Sequence, residues 1–441
     1  MLRKRFKANY GVVLVMTLLA QLGIAIGAEP SMNASIELAE PVTVTLAPPE
    51  IRQWGPYQFP NLARLPDGRI EVSFHMEADS ATAYGLSPAR AVSADQGKTW
   101  KLLPREQADS GTAPSYVSPP LRLPNGDTLF VKQQRPINPS SLKLPEKPLA
   151  ELATYGHSVT YYRVEDLPPE CAGGWMLYRI PAGQTQPKEE QAVVRLPGEL
   201  RYVTEGVLPL PWFQKLLLAP DGTIWAIGEI NHAVDGKFRE KCPTLILRSA
   251  DGGRSFDLWS EIPYAPDSAA DPKAAKREGF TEPFVCFMPD GSVLCLLRTT
   301  DGSGVGPLYQ VRSTDNGRTW TKPVVFDDLG VWPQMLTLKN GVTLAVYGRP
   351  GLYVRATADL SGLRWGERVA LVQPGEYHKD TCSYAALLPL GDDAALVAYS
   401  EFNLPGPDGR PCKGIRVRKI TARPAVPSPA TAPSPMVPSG R

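Results

Sequence analysis

Apolar and polar positions alternate along this chain in short runs, and a turn signal interrupts each run before it reaches helical length. Residues 70–74, 223–228, 293–297 and 343–347 are the clearest examples. Each follows an Asp-Gly or Asn-Gly dipeptide: Asp67-Gly68, Asp221-Gly222, Asp290-Gly291 and Asn340-Gly341. Asn125-Gly126 and Gly391-Asp392 complete the series. Such dipeptides between alternating hydrophobics are the strongest short-range hairpin signal. They recur at intervals of about 50 residues with longer gaps among the first four, a period that belongs to propellers. The pattern predicts an all-β chain folded as a six-bladed β-propeller of four-stranded antiparallel blades.

A second repeat decorates the first. Ser93-Ala94-Asp95-Gln96-Gly97-Lys98-Thr99-Trp100 recurs as Ser249 to Phe256 and as Ser313 to Trp320, with a decayed copy from Ala356 to Trp365. The common form is S-x-D-x-G-[KR]-[ST]-aromatic, known as the Asp box. Its Asp and Ser side chains bond turn amides, Gly permits positive φ, and the aromatic ring packs beneath the hairpin. The motif is a turn clamp without reactive chemistry of its own.

Composition narrows the picture. With 46 Pro and 38 Gly, the chain cannot build long uninterrupted helices, which excludes a helical bundle. A formal net charge of +2 gives no electrostatic case for a nucleic-acid partner. Arg3, Lys4, Arg5 and Lys7 precede an apolar run over 11–26 that ends in small residues, so residues 1–28 read as a signal peptide. The mature protein is expected to be secreted or periplasmic, without stable membrane insertion. Residues 29–50 read as a linker and 51–421 as the propeller. Residues 422–441, rich in Pro, Ala and Ser, read as a disordered tail. Insertions at 138–150 and 264–279 read as exposed padding. The six Cys form no C-x-x-C; Cys286 and Cys295 flank a hairpin and are the pair placed to face each other, buried free thiols being the other reading. The four His lack ligand spacing, so no metal and no cofactor are expected.

Asp boxes on a six-bladed propeller resemble the exo-sialidase superfamily, over about residues 56–420. In that family a Glu activates a Tyr nucleophile, three Arg bind the substrate carboxylate, a second Glu holds one Arg, and an Asp serves as acid/base. The matching order here is Glu282 in Phe280-Thr281-Glu282-Pro283, Arg298 after Cys295-Leu296-Leu297, and Arg349 in Tyr347-Gly348-Arg349-Pro350. Tyr384 follows in Thr381-Cys382-Ser383-Tyr384, and Glu401 in Tyr399-Ser400-Glu401. The resemblance implies Tyr384 as nucleophile, Glu282 as its base, Arg298 and Arg349 as a carboxylate clamp, and Glu401 as the residue that orients an arginine. The chemistry needs these types. A phenol with a pKa near 10 requires an adjacent base, and guanidinium grips a carboxylate bidentately.

The first half departs from the family pattern. Gln58, in Tyr57-Gln58-Phe59-Pro60, occupies the position of the first Arg and is expected to contact substrate as a neutral amide. Arg52 is a candidate substitute, while Arg64 reads as a flank of the Asp67-Gly68 turn. Arg179, in Tyr178-Arg179-Ile180-Pro181, carries the family's letters at the wrong place. Asp79 is the acid/base candidate, with Glu77 and His75 as rivals. The implied function is an exo-glycosidase releasing a terminal acidic sugar, sialic acid or a relative, from a glycan or glycoconjugate, acting as a monomer. Two alternatives stand beside it: a catalytically impaired, lectin-like propeller, and a purely structural or protein-binding propeller.

Overall fold

The computed structural model describes residues 34–80, 83, 86–105, 120–132, 137–154, 157–171, 175–203, 213–229, 233–235, 237–299 and 305–425. The reading of residues 1–28 as a signal peptide and most of the tail lie outside them. Five of the turn dipeptides close their hairpins alike. The Asp or Asn side chain accepts from the amide two residues on, at 2.9–3.1 Å, as Asp67 does from Arg69 and Asn340 from Val342. The glycine that follows each has φ between 81° and 88°, where a Cβ is disfavoured.

The hairpins grow into antiparallel meanders. Gln58–Arg64, Ile70–His75, Ala89–Ser93 and Lys101–Leu102 form one four-stranded sheet. Phe280–Phe287, Val293–Thr299, Leu308–Ser313 and Val324–Asp327 form another, and Val331–Thr337, Thr343–Gly348, Leu352–Thr357 and Val369–Val372 a third. Two further sets of four are fused. Leu121–Arg122, Thr128–Val131, Trp175–Ile180 and Lys188–Arg195 join Phe213–Leu218, Ile224–Gly228, Thr244–Ser249 and Ser255–Ile262 in one eight-stranded sheet, through parallel pairing of Lys188–Arg195 with Ser255–Ile262. The last sheet holds Ala385–Pro389, Ala394–Pro405 and Pro411–Pro424. Residues expected as a linker complete it: Ala34–Leu38 and Val42–Leu46 both pair with Pro411–Pro424, which at 14 residues is long enough to take both. The beginning of the described chain thus fastens its end.

The apolar core lies between successive sheets. One cluster joins Leu129 and Leu177 to Ile224 and Phe256, the next Trp225 and Ile246 to Val285 and Cys295, and the next Leu294 and Leu296 to Ala345 and Tyr347. Val346 and Val354 then pack on Val397 and Ile420, and Ile415 and Val417 on Val72 and Phe74. The Asp boxes clamp as expected. In the second copy Asp251 Oδ1 accepts from the amides of Arg254 and Ser255, both at 2.9 Å, while Gly253 N–H donates to Ser249 Oγ. At Gly317, in the third copy, a Cβ would stand 2.3 Å from the Trp225 indole, so only glycine fits beneath that ring.

Three expectations change here. The 138–150 insertion leads into Ala150–Thr154, which with His157–Arg163 and Leu200–Val203 makes a separate three-stranded sheet. Leu142 and Leu144 pack against its neighbour cluster of Tyr162, Leu167, Cys171 and Val203, so this segment is more than padding. The 264–279 insertion is pinned by a buried pair, Arg277 to Asp271, with both bonds at 3.0 Å. Cys286 and Cys295 do not face each other. Cys295 stands opposite Val285 while Cys286 stands opposite Leu294, so strand alternation sends the two thiols into different cores. All six cysteines are buried. Among the described residues no helix is long and apolar enough to cross a membrane.

Candidate active site

The site grows from the ends of paired strands. Arg298 lies near the end of Val293–Thr299, Arg349 follows Thr343–Gly348, Glu282 lies near the start of Phe280–Phe287, and Tyr384 directly precedes Ala385–Pro389. The backbone there is forced into unusual conformations. Among the described residues, seven of the ten non-glycine residues with positive φ are Tyr57, Phe59, Glu282, Trp332, Arg349, His378 and Ser383, at the starts of Gln58–Arg64, Phe280–Phe287 and Val331–Thr337, just after Thr343–Gly348, or in the segment leading into Ala385–Pro389. Such residues cost energy and persist where the surroundings hold them, a pattern typical of functional sites.

Three of the residues singled out in the sequence meet. The Tyr384 hydroxyl donates to Glu282 Oε1, and Arg298 Nη1 donates to the same oxygen. Arg298 Nη1 also stands 3.4 Å from the Tyr384 oxygen. Glu282 Oε2 accepts from the Trp332 amide at 2.9 Å, and the Trp332 indole stacks on the Tyr384 ring with centroids 4.6 Å apart. Burial, and next the negative charge of Glu282, push the Tyr384 phenol well above its usual pKa. The hydroxyl is therefore protonated at rest, and the carboxylate that receives its hydrogen bond is the group able to take its proton.

Arg349 is held differently. It is 5% exposed, Nη2 donates to the Cys382 carbonyl at 2.7 Å, and the guanidinium carbon lies 5.2 Å from the Trp54 ring and 5.4 Å from the Tyr384 ring. Its Nε has no hydrogen-bond partner, and no carboxylate of the described residues pairs with it. A buried cation without a counter-charge is costly unless an anion arrives. Trp54 continues this wall: its indole N–H donates to Asp79 Oδ2 at 3.0 Å, and its ring stacks on His378 at 4.6 Å. Burial, then the charges of Arg349 and Arg298, lower the His378 pKa to about 4. Asp79 is exposed beside these rings, whereas its rival Glu77 is bound to Arg105 at 2.6 Å and its rival His75 is buried.

Two expected residues fall elsewhere. Gln58 is fully buried and neither amide atom has a hydrogen-bond partner, so it does not present its amide to a substrate. Positive φ at Tyr57 and Phe59, with a register shift after Gln58, turns the strand so that the Phe59 ring meets Tyr384 edge-on at 4.9 Å. Glu401 pairs with Arg416 at 2.8 Å and orients neither Arg298 nor Arg349. Side chains alternate along Ala394–Pro405: Ser400 and Phe402 pack toward Cys382, which sends Glu401 to the opposite face. Arg52 is occupied by the carbonyls of Phe402 and Pro411, and Arg64 flanks its turn through the Gly68 carbonyl. Arg179 is bound to Asp127, Glu190 and the Gly252 carbonyl, a purely structural set.

Other residues join the site without a motif to announce them. Trp54, Trp332 and His378 are placed by packing. Lys215, whose pKa burial lowers to about 7, bonds Gln334 and lies 5.9 Å from the Trp332 ring. Glu229 accepts the backbone N–H of Glu282. A register count reaches Glu229: it follows Gly222 by the same seven residues that separate Arg298 from Gly291 and His75 from Gly68. Among the described residues no group of three His, Cys, Asp or Glu is arranged to hold a metal ion.

No family model and no curated protein matches the chain. Among solved structures it is similar to a protein of unknown function from Dyadobacter fermentans, with TM-score 0.59 and 18% identity over 88% of this chain and 99% of that one. That likeness is one of fold. Weaker likenesses are to a Penicillium chrysogenum alpha-L-arabinanase complexed with arabinobiose (TM-score 0.48, 15% identity, 86% and 98% covered) and to the Hadza microbial sialidase Hz136 (0.47, 15%, 84% and 66%).

Proposed function

We propose that the chain is a six-bladed, sialidase-like propeller that hydrolyses a terminal acidic sugar through a glycosyl–tyrosine intermediate. The observation that carries the reading is the Tyr384 hydroxyl donating to Glu282 beside Arg298, with the uncompensated Arg349 next to the same ring. In the first step Tyr384 oxygen attacks the anomeric carbon as its proton passes to Glu282. The glycosidic C–O bond breaks, and the leaving oxygen takes a proton from Asp79. In the second step water attacks the anomeric carbon and gives a proton to the Asp79 carboxylate, while Tyr384 recovers its own from Glu282. Sialidases are exceptions to the two-carboxylate scheme in having this Tyr nucleophile. Arg349 binds the sugar carboxylate, assisted by Arg298.

A lectin-like reading has its own support. Gln58 stands where the family has its first Arg, and the Asp79 carboxylate is engaged by Trp54. Turnover decides between the two. The purified protein, given a panel of acidic-sugar glycosides and their neutral counterparts, is expected to release the acidic sugar. Tyr384→Phe should lower kcat by about 1000-fold while leaving binding in place. Binding without release by the unmodified protein would favour the lectin.

A further inference from the structure

Two successive sets of strands each receive a carboxylate at the start of their first strand. Glu229, directly after Ile224–Gly228, accepts the amide N–H of Glu282, and Glu282 in turn accepts the amide N–H of Trp332. Both donors sit at equivalent strand starts and both have positive φ, 43° at Glu282 and 46° at Trp332. Both also lie within register shifts, Thr281 to Phe284 and Val331 to Gln334, where the ladder supplies no partner. The carboxylates therefore supply the acceptors that the distorted backbone lacks. Glu229 is 2% exposed and Glu282 5%, so neither contact is shared freely with solvent.

We infer that Glu229 is a positioning residue for the base: it holds the Glu282 backbone in its left-handed conformation and so aims Oε1 at the Tyr384 hydroxyl. The inference rests on the reading of Glu282 as the group that takes the phenol proton.

Two substitutions test the role. Glu229→Gln keeps an oxygen acceptor and removes the charge; Glu229→Ala removes both. The expected result for Glu229→Ala is a kcat lower by about 10- to 100-fold with KM changed by less than about threefold. Glu229→Gln, which keeps the acceptor, should recover most of kcat. Crystal structures of both variants give a readout independent of turnover. In Glu229→Ala, Glu282 should leave positive φ and lose Tyr384, whereas in Glu229→Gln both should persist. An unchanged kcat in Glu229→Ala, or an intact Glu282–Tyr384 contact in its crystal structure, would overturn the inference. If the unmodified protein turns over no acidic glycoside, the base assignment fails, and the crystal structures alone decide whether Glu229 positions Glu282.

Discussion

Arg349→Gln tests the most unusual electrostatic feature of the site. The guanidinium is buried, donates once to the Cys382 carbonyl, and has no carboxylate partner among the described residues. An acidic sugar bound there would form two charge-assisted hydrogen bonds, each worth roughly 1.5–3 kcal/mol against about 1 for a neutral bond. Glutamine can return one neutral bond, so the net loss is about 2–5 kcal/mol, or roughly 30- to 4000-fold in affinity. Titration calorimetry in a Tyr384→Phe background measures Kd without turnover. The ligands are an acidic-sugar glycoside and its methyl ester, which has the same shape without the charge. The acid should lose the full factor and the ester less than about tenfold. Equal losses for both ligands would show that Arg349 acts through packing, and no loss for the acid would refute its role as the anion site.

Two further predictions use pH. His378 has a pKa near 4 in the folded protein, held down by burial and by Arg349 and Arg298, against an ordinary value of 6.5. The unfolded chain therefore binds the extra proton between these values, and stability falls as pH drops from about 6.5 to about 4. His378→Gln should remove that part of the loss, seen as a smaller shift of the urea midpoint between pH 7 and pH 4.5; an unchanged shift would count against it. Asp251 has the same pH direction in a more acid window, for a different reason. Burial opposes its ionisation, but the Ser255 hydroxyl and amide, the Ser249 hydroxyl and the Arg254 amide outweigh it and lower the pKa to about 2. Its stabilisation is complete above the ordinary value of 3.8 and is lost as pH falls through about 2. Asp251→Ala should lower the thermal midpoint at pH 7, and the gap to the unmodified protein should narrow below pH 4; a gap that does not change with pH would refute the clamp.

Local chemistry made the hairpins legible. Asp-Gly and Asn-Gly dictate a turn within four residues, and the Asp box supplies its own acceptors, so neither depends on distant partners. The N-terminal strands were not legible for the converse reason. Residues 42–46 alternate clearly, but their partner, Pro411–Pro424, lies more than 350 residues away, and local pattern carries no information on such a pairing. In the site, Glu282, Arg298, Arg349 and Tyr384 were reached because their order follows a known family. Glu401 and Gln58 failed at the scale of one residue: strand alternation decides the face of the first, and positive φ on both sides turns the second inward. Glu229 was open to a register count from its turn glycine that no motif prompted.

The central claim is that Tyr384 carries the sugar. An acidic sugar carrying fluorine on the carbon next to the anomeric one, with a good leaving group, slows breakdown of a glycosyl-enzyme, and peptide mass spectrometry locates the bond. The account predicts one sugar per chain, attached to the peptide containing Tyr384 and absent from Tyr384→Phe. An adduct on Asp79 or another carboxylate, or release of acidic sugar by Tyr384→Phe at the rate of the unmodified protein, would contradict it.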